Sequence, residues 1–158
     1  MAIAPRPLSP DLTILLPADR LSRLPIPFFV ALVPAGFPSP AEDYVEGKLD
    51  LNDLLVQRPA ATFFVRIVGD SMTGAGIFTG DLAIVDRSLK PERHDAVVAV
   101  LNGELTVKLI MWDGPPWSPS GMRLEAANPD YEAIPIAEGD EFIVWGVVTA
   151  TIHRRRGD

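Results

Sequence analysis

The sequence predicts a mostly β body with short helices at its front edge, preceded by an extended N-terminal arm. Three observations carry that prediction. Seven of the 16 prolines fall within the first 35 residues. From Ala61 onward, runs rich in valine, isoleucine and phenylalanine are punctuated by Gly-Asp and Asn-Gly pairs, the pattern of strands separated by turns. Helix-start signals lie between these two regions, at Ser39–Glu42 and Asp50–Asp53.

The arm comes first. Proline fixes φ and removes a backbone donor, so residues 1–35 can form neither a long helix nor a central strand. They still carry Leu12, Ile14, Leu15 and Leu16, then Ile26, Phe28, Phe29 and Val30. A purely solvated linker would lack such residues, so the arm is expected to lie on its own body or on a partner.

The helices follow. Ser39 at N-cap, Pro40 at N1 and Glu42 at N3 make a capping box, which predicts a helix from about Pro40 to Glu46. Asp50-Leu51-Asn52-Asp53 opens a second helix through Leu54-Leu55-Val56 that must stop before Pro59. The expected strands are Thr62–Val68, Leu82–Asp86, Ala96–Leu101, Leu105–Trp112, Met122–Ala126 and Glu141–Thr151. Asn102-Gly103 between two of them marks a two-residue hairpin turn. The chain shows no internal repeat.

Composition narrows the chemistry. The chain has 158 residues, 47% of them hydrophobic and 22% charged, a globular balance suited to one domain with an appendage. The absence of cysteine excludes disulfides, zinc–thiolate sites and cysteine catalysis, and no metal or other cofactor is implied. The apolar runs fall far short of the roughly 20 residues a membrane helix needs. No basic stretch followed by an apolar one opens the sequence, so no signal peptide is expected, and the default location is the cytoplasm. A formal charge of −7 makes a poor partner for a phosphate backbone. The run Arg154-Arg155-Arg156 reads as a solvated tail.

Three features bear on chemistry. In Val68-Gly69-Asp70-Ser71-Met72 a strand ends, glycine allows a sharp turn, and a serine is presented where backbone N–H groups can converge as an oxyanion hole. In Leu105–Trp112, alternation puts Leu105, Val107, Leu109 and Met111 on one face and Thr106, Lys108, Ile110 and Trp112 on the other. Lys108 therefore sits inside an apolar strand. Its head either snorkels to water or is desolvated, and desolvation would make the neutral amine available as a base. The two histidines, His94 in a polar loop and His153 at the start of the arginine tail, are in settings that do not suggest a tuned imidazole. If the serine is catalytic, lysine is the better base. The third feature is Ala35-Gly36 within Phe29–Pro40, a joint whose small residues could enter a tight active site.

In this order the three features resemble the LexA/UmuD (S24) family of self-cleaving SOS peptidases, and UmuD-like members most. The matching stretches are Ala35–Ala41, Asp43–Glu46, Leu49–Asn52, Gly69–Met72, Gly80–Leu82, Ile84–Asp86, Gly103–Lys108 and Phe142–Val148. They cover the body from about Pro27 onward, with the family's separations from joint to serine and from serine to lysine. The resemblance implies a compact β peptidase domain over residues 36–158, with residues 1–35 as an arm removed by self-cleavage. It implies Ser71 as nucleophile, Lys108 as base, the backbone N–H groups of Ser71 and Asp70 as the oxyanion site, and Ala35–Gly36 as the bond cut. It further implies stimulation by a RecA–single-stranded DNA filament. The product would be a homodimer that serves an error-prone, UmuC-type translesion polymerase. UmuD-like chains commonly carry cysteine before that glycine, whereas LexA carries alanine. Ala35 departs from the UmuD pattern and keeps the chemistry feasible.

Other readings remain at this stage. A signal-peptidase-like enzyme shares the Ser–Lys dyad, but would be expected to carry a membrane anchor. A LexA-type repressor would need a DNA-binding head, for which the proline-studded arm leaves no room, so direct sequence-specific DNA binding is not expected. A non-cleaving β scaffold that binds a polymerase is compatible with every residue named.

Overall fold

The computed structural model describes residues 14–15, 25–29, 35–36, 46–117 and 121–157. The chain divides into two compact units, one of residues 1–17 with 58–158, the other of residues 18–57.

The smaller unit holds a two-stranded antiparallel ribbon and one short helix. Strand β2 (Pro25–Phe29) pairs with β3 (Glu46–Asp50), Pro25 opposite Asp50 and Phe29 opposite Glu46. Both strands of a ribbon are edges, which is where proline is tolerated. Helix α1 (Leu51–Leu55) starts where the sequence places it: the Asp50 side chain caps it, accepting from Asn52 N–H at 2.9 Å. The other expected helix is corrected at its end. Glu46 begins a strand, because pairing with Phe29 overrides a local helix preference; positions 40–45 of that helix lie outside the described residues.

The larger unit is an antiparallel sheet of eight strands, in the order β1-β4-β5-β10-β6-β7-β8-β9. Its members are β1 (Ile14–Leu15), β4 (Thr62–Arg66), β5 (Leu82–Asp86), β6 (Ala96–Leu101), β7 (Glu104–Met111), β8 (Arg123–Glu125), β9 (Ile134–Pro135) and β10 (Phe142–Ile152). The mostly β fold class is as the sequence predicts, and β5 and β6 have the expected bounds. The arm contributes β1, which pairs with β4 on the edge of this sheet. Strand β9, with Pro135, closes the other edge and went unanticipated, since two residues give no periodic signal. The β6–β7 hairpin turns at Asn102 and Gly103, with φ of 50° and 82°. Two successive positive φ values define the tight turn that Asn-Gly favours.

Two packed clusters hold the sheet. Phe63, Val65, Ile67, Ala83, Val85 and Val98 form one, together with Met72 and Ile77 from the β4–β5 connection. Val97, Ala99, Ile110, Trp112, Leu124 and Val147 form the other. Alternation sorts them: Val98 joins the first cluster and its neighbours Val97 and Ala99 the second. Each fully buried large side chain contributes roughly 1.5–3 kcal/mol.

Strand β10 links the halves of the sheet. It pairs with β5 on one side and β6 on the other, so that Val147 faces both Asp86 and Val97. The register shifts between Val148 and Ala150 and between Val144 and Gly146, two bulges that bend the strand. Gly146 is there because a Cβ would lie 2.7 Å from Val85 Cγ1 and 2.9 Å from the Asp86 carbonyl oxygen.

Candidate active site

Ser71 stands in the connection between β4 and β5, and its local sequence explains the shape. Two backbone bonds close the base of the connection: Ile67 N–H to Asp81 O at 2.9 Å and Gly80 N–H to Ile67 O at 2.8 Å. Gly69, with φ 96°, turns the chain in a conformation few other residues adopt. Its N–H donates to Thr79 Oγ1 at 2.5 Å. Beyond Ser71, Met72 is buried, and a single 3-10 turn at Thr73–Ala75 follows. Buried Ile67 before Ser71, and buried Met72 and Ile77 after it, anchor the connection in the first cluster, so Ser71 is held from both sides.

The C-terminal end of the connection has a lock of its own. Asp81 is 1% exposed; its Oδ2 accepts from Phe78 N–H at 2.9 Å, and its Oδ1 lies 2.5 Å from His153 Nδ1. The His153 ring also packs on Phe78 at 5.1 Å between centroids. His153 is thus a structural partner of Asp81 in addition to opening the arginine tail. Nothing in its sequence neighbourhood signals this, because the pairing spans 72 positions. His94 is exposed, in a loop turn at φ 75°.

Lys108 comes from β7 and reaches Ser71. Its Nζ lies 2.9 Å from Ser71 Oγ, 3.1 Å from Thr106 Oγ1 and 3.2 Å from the Val107 carbonyl oxygen. Both Ser71 and Lys108 are half-buried. Burial lowers the Lys108 pKa from the usual lysine value, because the ammonium loses hydration. Among the described residues no carboxylate pairs with it to restore the charge. A neutral amine has two N–H donors and one lone pair. With Thr106 and Val107 taking the donors, the lone pair is left for the Ser71 hydroxyl proton. Thr106 was legible as a neighbour, since alternation places it on the Lys108 face, yet its bonding role was not foreseen.

The backbone around Ser71 is uneven in its bonding. The N–H groups of Thr73, Gly74, Ala75, Gly76 and Ile77 all have backbone acceptors. Those of Asp70 and Ser71 have none among the described residues, the condition an oxyanion site requires. The connection between β8 and β9 supports the same turn. Asn128 Nδ2 donates to Asp70 O at 2.9 Å, and the Tyr131 hydroxyl donates to Asp70 Oδ1. Gly74 N–H donates to Ala127 O at 2.7 Å, an approach so close that a Cβ on Gly74 would lie 2.4 Å from that oxygen. The hydrogen bond to Asp70 raises the Tyr131 pKa, since a phenolate could not donate it. Sequence reading missed Asn128 and Tyr131; Asn128-Pro129-Asp130 signals only a turn.

Ala35 and Gly36 lie in the smaller unit, both exposed in a bend. Among the described residues no helix is long and apolar enough to cross a membrane, and no cluster of side chains suits a metal ion.

Comparison with known proteins adds descent to this geometry. Residues 27–149 match the model of the family described as Peptidase S24-like. Protein SamA of Salmonella typhimurium strain LT2 is 46% identical over 130 residues, covering 82% of this chain and 86% of its own. Protein MucA of Escherichia coli is 38% identical over 128 residues, 80% of this chain and 84% of its own. The LexA repressor of Anaeromyxobacter sp. strain Fw109-5 is 33% identical over 144 residues, 89% of this chain and 58% of its own length. A match that takes in both the Ser71 turn and the Lys108 strand, with relatives this similar over most of the chain, makes this protein a member of the Peptidase S24-like family.

Proposed function

We propose that the chain is a UmuD-like serine peptidase that cuts its own Ala35–Gly36 bond, with Ser71 as nucleophile and Lys108 as general base. The observation that carries this reading is the 2.9 Å contact between Lys108 Nζ and Ser71 Oγ at a lysine whose pKa burial lowers. Ser71 Oγ attacks the Ala35 carbonyl carbon while its proton passes to the neutral Lys108 amine. The oxyanion is held by the N–H groups of Ser71 and Asp70. Collapse breaks the C–N bond, and Lys108 returns the proton to the departing Gly36 amine. Water, deprotonated by Lys108, then attacks the acyl-Ser71 ester; the C–O bond to Ser71 Oγ breaks, Lys108 returns the proton to that oxygen, and the Ala35 carboxylate is freed. Because the substrate is tethered, no separate affinity is needed, and the rate is governed by how often the joint reaches the site.

The family resemblance supplies the biological frame. Residues 1–35 are the arm released, and residues 36–158 are the working product. In this reading a RecA–single-stranded DNA filament favours the docked state of the joint, and the dimeric product serves a UmuC-type polymerase in the SOS response.

The decisive experiment incubates the purified chain at about pH 10, near the titration of an ordinary lysine, and follows its mass. The expected product begins at Gly36, while Ser71→Ala and Lys108→Ala stay intact. A Lys108→Ala chain that cuts at the wild-type rate refutes the dyad. A wild-type chain that never cuts, even with activated RecA filaments, leaves a non-cleaving scaffold in its place.

A further inference from the structure

We infer that Asn128 is a positioning residue for the oxyanion site: its carboxamide sets the direction in which the Ser71 backbone N–H points. The inference rests on the peptidase reading above and adds a residue to it. In a trans peptide the C=O and the N–H of one unit point in opposite directions, and no cis bond occurs among the described residues. The Asp70 carbonyl and the Ser71 N–H belong to one such unit. Asn128 Nδ2 holds that carbonyl at 2.9 Å, with help from Thr73 Oγ1 at 3.2 Å and Thr73 N–H at 3.4 Å. With the oxygen pinned on the side of the β8–β9 connection, the Ser71 N–H must face the other way. There it donates to no acceptor among the described residues.

The carboxamide is itself fixed. Asn128 Oδ1 accepts from Asp130 N–H at 2.9 Å, so exchanging its oxygen and nitrogen would set donor against donor and acceptor against acceptor. Two further ties, Tyr131 to Asp70 and Gly74 to Ala127, keep the connection and the Ser71 turn in register. Asn128 touches neither Ser71 Oγ nor Lys108 in these bonds. It acts through the peptide plane alone, and its loss should therefore affect the stabilisation of the oxyanion and leave the base untouched.

Asn128→Asp separates these roles, because it keeps the acceptor for Asp130 N–H and removes the donor to Asp70. The alkaline self-cleavage rate is expected to fall about 10- to 100-fold, toward the loss seen when an oxyanion donor is removed. The pH at which the rate reaches half its maximum should stay at the wild-type value, and Asn128→Ala should act in the same direction. A second readout uses the absence of native cysteine. In a Ser71→Cys chain, iodoacetamide alkylates the single thiol by displacement at carbon, a reaction that develops no oxyanion. Adding Asn128→Asp should leave that alkylation rate unchanged. If Asn128→Asp cuts as fast as wild type, the inference is overturned and the peptidase reading stands. If alkylation and cleavage fall together, Asn128 merely supports the turn, which also overturns it. A wild-type chain no more active than Ser71→Ala removes the peptidase reading and the inference with it.

Discussion

A lysine on a strand between Val107 and Leu109 can be a solvated side chain or a base, and what decides is the company of its Nζ. For Lys108 that company is three oxygens and no carboxylate among the described residues. Burial therefore acts unopposed and lowers its pKa. The sign of the pH effect follows. The reactive form is the neutral amine, so the self-cleavage rate should rise as pH rises through the lowered pKa and level off above it. Half-maximal rate should come below the pH at which an ordinary lysine titrates, and a pH–rate profile followed by mass would show this. Lys108→Arg keeps the charge but cannot yield a neutral base near that pH. It should abolish cleavage at every pH at which the protein stays folded, checked in the same assay. The turn that presents the serine and the strand face that carries the lysine were readable from sequence, whereas reading the two as a reacting pair came only through the family resemblance. Asn128 was not, because its partner is the Asp70 carbonyl, 58 positions away, and backbone acceptors carry no sequence signature.

Among the elements, those with a repeating signal were the most legible. Strands β5 and β6 and the Asn102-Gly103 hairpin follow from alternation and turn chemistry. Strand β4 ends at Arg66, two residues short of expectation, because Ile67 already bonds across to Asp81 and Gly80 to close the Ser71 turn. Glu46 was misread because a capping box is local, whereas its pairing with Phe29 is set by a segment upstream. The bulges of β10 were invisible in its apolar run, although Gly146 marks one of them. That glycine yields a prediction. Gly146→Ala would press a methyl group against Val85 Cγ1 and the Asp86 carbonyl, at 2.7 and 2.9 Å. Overpacking at such a site costs about 1–3 kcal/mol. A urea titration should show the midpoint falling with its slope preserved.

At the scale of the whole sheet, the residues proposed to react belong to opposite halves. Ser71 lies in the connection from β4 to β5, and Lys108 lies on β7, which pairs with β6. Strand β10 (Phe142–Ile152) pairs with both β5 and β6 and joins the halves. A chain ended after Asp140 lacks that strand. It is expected to show no self-cleavage and to bind a dye specific for exposed apolar surface, as chains that have lost tertiary packing do; ordinary dye fluorescence and a normal Gly36 product would refute the point. The order of strands in the sheet also bears on the timing of synthesis. Ser71 and Lys108 both leave the ribosome before the strand that brings their halves together. For the proposed reaction, a growing chain then carries both reacting groups without a working site. Self-cleavage would be deferred until translation has passed Ile152, so no nascent chain would lose its arm before its body exists.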